Sequence, residues 1–391
     1  MSKLRIVVGG YIASYCTSGV TWDYVQYPVG LQLLGHDVYY IEDTLGYHCH
    51  FDPKYSWDDP TPVVNYLKET MTFFGMSERW AYRDAVSGKC FGLSEEKLLE
   101  VCASADVFIN VSCSTFLREE YLKIPTRVLI DSDPMFTQIP NNENPSQVEA
   151  IQASFKNYTH LFSFGENIMA EDSKVPTYSF KWYSTRQPVC LDYWANQHVV
   201  NKKTFTTIMN LSARKKIQYD NEEWGQKDLE LEKVVQIPEL CQTGFFEMIL
   251  SCSVNNRNDG EHTWLRQNGW KILKAVETIG QIHDYSAFIK NSYAEFSVAK
   301  HTYVKANTGW FSCRSACYLA AGKPVIVQDT KWSKYIPAGE GALAFDSIST
   351  AKTAVDDVLC NYEKHKKRAK EIAYEYFDSQ KVLNRMLEDL N

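Results

Sequence analysis

In the run Thr308-Gly309-Trp310-Phe311-Ser312-Cys313-Arg314-Ser315, a polar loop enters a short apolar helix that Gly322 stops. A helix entered from a loop presents unbonded backbone N–H groups and the positive end of its dipole, which suits an anion. Ser312, Arg314 and Ser315 crowd two hydroxyls and a guanidinium at that end, so a diphosphate fits the chemistry. A buried strand over 324–328 follows and ends on Asp329-Thr330, where a carboxylate at a strand tip can accept hydrogen bonds from sugar hydroxyls. Gly339-Glu340-Gly341 comes next, a turn that lets backbone approach closely beside an acidic side chain. Upstream, Lys300 and Tyr303 are candidates to meet the phosphates or the base. Each residue also has a plainer reading: Ser312 as a cap, Arg314 in a structural ion pair, Glu340 in a turn, Lys300 at the surface.

Such groups act together only if strands bring their tips to one edge. Strand-like runs at 4–9, 37–41, 107–111, 127–130 and 160–164 alternate with segments of three- and four-residue apolar spacing at 22–34, 62–74, 94–103 and 147–156. Ser94, followed by Glu95 and Glu96, marks a helix start. The pattern breaks near Gln187-Pro188, and 196–203 is polar. A second series then begins, with strands at 205–209, 245–250, 294–298 and 324–328 and helices at 228–235, 285–291, 315–321 and 350–362. The alternation predicts two doubly wound α/β domains, over 1–195 and 196–362, with mostly parallel sheets and a ligand cleft at the carboxyl ends of their strands. Residues 363–391 read as helices that pack back on the first domain. Their basic run, Lys364, Lys366, Lys367, Arg368 and Lys370, reads as a solvated face.

Composition narrows the class. The chain has 391 residues, 45% of them apolar and 23% charged, which is ordinary for a globular protein with a sizeable core. A net charge of −7 argues against a broad nucleic-acid footprint. No run of about 18 apolar residues is present, so no membrane-spanning helix is expected. The eleven cysteines include no CxxC pair, which fits free thiols in the cytoplasm better than disulfides or a zinc site. No metal is expected.

Ala320-Ala321-Gly322-Lys323-Pro324-Val325-Ile326, then Asp329, then Gly339-Glu340-Gly341-Ala342-Leu343-Ala344-Phe345, resembles the donor half of GT-B-fold glycosyltransferases. The close match covers about 290–350, and the two-domain layout agrees over the rest. Gly35-His36-Asp37-Val38, Asp131-Ser132-Asp133-Pro134, Thr185-Arg186-Gln187-Pro188 and Gly225-Gln226-Lys227-Asp228 also resemble segments of a bacterial and phage-type family described only as glycosyltransferase. The resemblance implies two Rossmann-like domains facing across a cleft, and a nucleotide-diphosphate sugar, a UDP-sugar first among them, as co-substrate with no tightly bound cofactor. It departs at one place. Retaining members carry a Glu in the helix before Ala-Ala-Gly and another eight positions earlier, and those positions are Cys317 and Gly309 here. Stereochemistry is therefore not implied; Glu295 and Glu340 are possible substitutes.

The resemblance places the loop from Gly9-Gly10-Tyr11 to Trp22-Asp23 on the acceptor side. Its Gly-Gly turn lacks the GxGxxG spacing of a dinucleotide fingerprint. Inverting transfer needs a general base near the attacking hydroxyl. Asp23 and Asp133 are the candidates, with a helix-start acid and an Asp-Pro turn as their plainer readings. Glu166, in Gly165-Glu166-Asn167, follows a strand and points to the same cleft, or else serves in a cap. The expected function is glycosyl transfer to a hydroxyl on a small molecule, a glycan or a hydroxymethylated DNA base. A sugar-nucleotide epimerase and a non-catalytic nucleotide-sugar-binding module are the alternatives. DNA would need a basic groove, for which Arg186, Arg214, Lys215, Lys216, Arg257 and Arg266 are the residues to follow.

Overall fold

The computed structural model describes residues 2–45, 56, 58–140, 145–195, 202–213, 215–241, 244–250 and 262–390. Arg214, Arg257 and most of the polar segment 196–203 lie outside them. The first domain is built on strands β1 (Arg5–Gly9), β2 (Asp37–Glu42), β3 (Trp80–Arg83), β4 (Cys90–Gly92), β5 (Val107–Val111), β6 (Thr126–Asp131), β7 (His160–Ser163) and β8 (Trp182–Ser184). Their order is β4-β3-β2-β1-β5-β6-β7-β8, and all pairings are parallel except β3 with β4.

In the second domain, β9 (Thr204–Met209) leads into a small hairpin, β10 (Ile217–Tyr219) and β11 (Glu222–Trp224). Asp220 and Asn221 turn it with positive φ, as a two-residue hairpin loop demands. Then come β12 (Phe245–Leu250), β13 (Lys271–Lys274), β14 (Ala294–Ser297), β15 (Val325–Gln328) and β16 (Ala342–Phe345). The sheet runs β13-β12-β9-β14-β15-β16, entirely parallel. Strand order reverses beside β1 in one domain and beside β9 in the other. Those reversals open crevices at the carboxyl ends of the strands.

One apolar core joins the domains. It runs from Ile6 and Val8 through Trp22 and Tyr27 to Ala316, Tyr318 and Trp332. Helix Ser18–Leu33 carries most of that junction and is apolar on nearly every side, so it shows no amphipathic stripe. Its buried Gln26 is satisfied by Cys190 N, Trp194 Nε1 and Trp22 O. A second core, with Phe205, Phe246, Trp270 and Phe296, fills the other face of the second sheet.

Helices Ile348–Cys360 and Tyr362–Ile372 pack on the second domain. The chain then crosses back through an isolated bridge between Val189 and Asp378. Asp378 caps helix Ser379–Glu388, which buries Leu383, Met386 and Leu387. That helix lies against helix Ser18–Leu33 at Gly30, where a Cβ would stand 2.6 Å from Leu383. The basic run is held within its own neighbourhood: Lys364 pairs with Glu340, Lys366 with Glu363, and Arg368 with Glu371.

Candidate functional site

At the crevice of the second domain, Arg314 stands in the first turn of helix Cys313–Ala320. Its Nε donates to Glu295 Oε1 at 2.6 Å and its Nη2 to Ser297 Oγ at 2.5 Å, while Nη1 donates to the Ile208 carbonyl. The side chain thus stitches together β9 and β14 where they diverge, and two of a guanidinium's five N–H donors remain. Burial alone would lower its pKa, but the Glu295 charge holds it above its ordinary value. The structural ion pair foreseen as the plainer reading is what the chain forms, and it forms at the ligand edge.

The cation left over is Lys227, at the start of helix Lys227–Glu232. It is 8% exposed, and its ammonium has no hydrogen bond or ion pair among the described residues. Burial drives its pKa well below the usual lysine value, and the charges of Arg314 and Lys300 push the same way. Glu295 Oε2, Ser315 Oγ and Gln226 Nε2 are likewise buried without partners. The Glu295 charge opposes the lowering at Lys227 without a hydrogen bond or ion pair to the ammonium, and a buried ammonium so weakly compensated is costly unless a ligand completes it. In the sequence Lys227 carries no expected role of its own, and the Gly225-Gln226-Lys227-Asp228 segment is the one signal that marks it.

Asp23 faces these cations from the first domain. It lies in the second turn of helix Ser18–Leu33, whose start is anchored on the second domain by Ser18 Oγ donating to Ile279 O and Trp22 Nε1 donating to Ile282 O. The half-buried carboxylate makes no hydrogen bond among the described residues. Burial raises its pKa to about 7, against the pull of Arg314 and Lys227.

Other expected site residues are placed differently. Trp22 is buried among Phe74 and Trp194 and serves the domain junction rather than an acceptor surface. Gly10 is walled in, since a Cβ there would meet Tyr40 Oη at 2.5 Å. Tyr11 packs edge-on against Tyr15 and Tyr24. Asp133, Lys300 and Tyr303, expected at separate tasks, meet in one bridge across the cleft. Lys300 Nζ lies 2.7 Å from Asp133 Oδ1, which also accepts from the Tyr303 hydroxyl. Nearby, Trp310 Nε1 donates to Ser132 O at 3.1 Å. Asp133 is thus held by two donors from the other domain, which leaves Asp23 as the uncommitted carboxylate of the two.

Glu166 is paired with Arg186 through two 2.7 Å bonds, and Arg186 also donates to Tyr335 O. Asp329 builds its own turn, accepting from Lys331 N and from Ser333 N and Oγ, and Thr330 Oγ1 donates to Trp310 O. Neither carboxylate nor hydroxyl is held out to a sugar. Ser312 occupies the N-cap position without a side-chain cap bond and lines a small cavity with Ser297, Trp310 and Gln328. Glu340 precedes β16, at the amino-terminal edge of the sheet, and is paired with Lys364. It is therefore at the opposite end from the crevice, and a site role there is corrected.

Gly309 adopts φ +76°, and a Cβ would stand 2.5 Å from Asn167 N. Asn167 N donates to Thr308 O, and Gly165 pairs with Trp310, so the two domains meet backbone to backbone where a Glu would have to stand. Cys317 is buried against Gln26 Nε2. Of the residues followed for a DNA groove, Arg186 is tied to Glu166 and Lys216 to Glu223. No group of three or more potential metal-ligating side chains occurs among the described residues, and no helix there is long and apolar enough to cross a membrane.

No protein-family model and no curated protein matches the sequence. Among solved structures, a glycosyltransferase from Rickettsia africae ESF-5 matches all of this chain and 98% of its own, at 13% identity and a TM-score of 0.59. Anabaena HepE, in complex with UDP-glucose, matches over 99% of each chain at 8% identity and a TM-score of 0.58. Sucrose-phosphate synthase from Thermosynechococcus elongatus matches over 98% of each chain at 11% identity and a TM-score of 0.55. These likenesses span the whole chain and both sheets, and the chain has the GT-B fold: two Rossmann-like domains facing across a cleft.

Proposed function

We propose that the chain transfers a sugar from a UDP-sugar to a hydroxyl acceptor, with inversion, and that protein cations rather than a metal meet the leaving diphosphate. The observation that carries this reading is the pair of uncommitted opposite charges on the two sides of the domain seam, Asp23 and Lys227. In such a transfer the acceptor oxygen forms its bond to the anomeric carbon as the bond from that carbon to the diphosphate breaks. The hydroxyl proton goes to Asp23, whose pKa of about 7 is close to the value that best suits a general base at neutral pH. Negative charge grows on the diphosphate, to be met by Lys227, the remaining donors of Arg314 and the N-terminus of helix Cys313–Ala320.

Inversion is supported by what occupies the two positions where a retaining enzyme carries its carboxylates. Gly309 is closed off by Asn167, and Cys317 sits in the core. The choice of UDP is supported by HepE, which was crystallised with UDP-glucose. The test is a thermal-shift panel of UDP, GDP, TDP, CDP and their sugars, on the natural chain and on Asp23→Asn and Lys227→Gln. UDP should stabilise the natural chain and Asp23→Asn alike, and Lys227→Gln much less. Silence from every nucleotide would sink the reading. Conversion of the donor sugar without any acceptor would point to an epimerase instead.

A further inference from the structure

Behind the seam, a second, open cavity of about 90 Å³ lies between the tip of β8 and the segment that crosses back to the first domain. Its floor includes Ser184, Thr185 and the Glu166–Arg186 pair. The two charges of that pair cancel, and the guanidinium rests against the Tyr376 ring at 5.1 Å. Arg385 and Lys381, both exposed, stand at the cavity's mouth with the exposed Glu375, and the Arg385 charge also acts on Glu166, whose own partner is Arg186. The Arg385 side chain has no hydrogen bond or ion pair among the described residues, and neither do the hydroxyls of Ser184 and Thr185. Lys381 gives one donor to Tyr374 O at 2.8 Å, and its ammonium lies 3.3 Å from the centre of the Tyr374 ring, so it is the more engaged of the two cations.

An unpaired guanidinium, an ammonium and two free hydroxyls around one cavity make a donor-rich, cationic lining. A phosphate dianion matches it, since its oxygens take the planar fork of an arginine and several further donors at once. We propose that this cavity is a phosphate subsite, separate from the cleft, that binds a phosphomonoester through Arg385, Lys381 and the hydroxyls of Ser184 and Thr185. Its walls come from the edge of the first sheet and from the crossing segment, while Arg186 also reaches Tyr335 O in the second domain. A bound phosphate would therefore stiffen the junction on which the cleft geometry depends.

The test is calorimetric titration of the full chain with inorganic phosphate and with ethyl phosphate, in the natural sequence and in Lys227→Gln, which removes the free cation of the cleft. Binding should persist in Lys227→Gln and weaken by about tenfold or more in Arg385→Gln. Thr185→Val should weaken it by about two- to tenfold. Tighter binding of ethyl phosphate assigns the subsite to a phosphorylated molecule, and tighter binding of inorganic phosphate assigns it to the free ion. Binding that vanishes in Lys227→Gln, or is untouched by Arg385→Gln, or is absent altogether, overturns the proposal. The outcome does not depend on whether the cleft takes a nucleotide.

Discussion

Each domain buries a cluster of charges at the carboxyl ends of its strands, and the two clusters are finished to different degrees. In the first domain Arg83 donates to Glu95, Asp43, Glu120 and the Tyr121 hydroxyl, while Arg118 grips Asp43 with two bonds of 2.5 and 2.9 Å. These bonds outweigh burial and hold the Arg83 guanidinium far above its ordinary pKa. In the second domain Arg314 and Glu295 are paired, yet Glu295 Oε2, Ser315 Oγ and the ammonium of Lys227 are left over, with Asp23 facing them. A closed network spanning four elements makes structure. A network with a missing anion marks a place kept for a ligand.

This contrast can be broken in several ways. The largest expected effect is on turnover: Asp23→Asn should lower kcat by about 10²- to 10⁴-fold while leaving UDP binding in place, and at neutral pH it should raise the melting temperature, because the buried ionised carboxylate costs stability. Near-normal turnover would remove Asp23 as base. Arg83→Met should do the reverse, destabilising the fold by about 1–3 kcal/mol in denaturant titration because it leaves Glu95 and Glu120 without their cation and takes one donor from Asp43, which Arg118 still holds, with no loss of nucleotide affinity in the fraction that remains folded. Lys227→Met should weaken UDP binding by about 10- to 100-fold by calorimetry. It should also raise the melting temperature, since a weakly compensated buried charge is removed; a lower one would mean that Lys227 has a structural partner.

Acidity supplies a smaller, graded test. The folded pKa of Asp23, about 7, lies above that of an unfolded aspartate, so the folded state binds the extra proton. Its contribution to stability therefore falls as pH rises from about 4 to about 7. Over the same window kcat/KM should rise and level off once the carboxylate is ionised, and Asp23→Asn should flatten both trends. The smallest effect belongs to Glu340→Ala, which breaks only an exposed pair with Lys364 and should change stability by less than about 0.5 kcal/mol and turnover not at all.

The central strands β1, β2, β5, β6, β7, β9, β12, β14 and β15 were legible because apolar runs between turn residues announce a strand buried on both faces. The strands not foreseen are short or carry polar ends. β3 ends on Arg83, whose partners arrive from three other elements, β8 has three residues, and β13 is an edge strand flanked by Lys271 and Lys274. The Arg314 loop could be read as an anion site from its own residues. That Glu295, Ser297 and Ile208 would tie down the guanidinium could not, because they come from distant strands that meet only in the sheet. Lys227 was hidden for the same reason: its lack of a partner is a property of the fold, and no spacing in the sequence states it.

The packing of helix Ser379–Glu388 onto helix Ser18–Leu33 also bears on how the protein is made. Gly30 leaves the groove into which Leu383 fits, so a surface laid down early in this chain is completed only by residues translated much later. Until they emerge from the ribosome, an apolar strip on the first domain faces water, the kind of exposure that invites chaperones or aggregation. Helix Ser379–Glu388 works as a late-arriving closure, and its absence from a nascent chain would be felt first in a domain far from it in sequence.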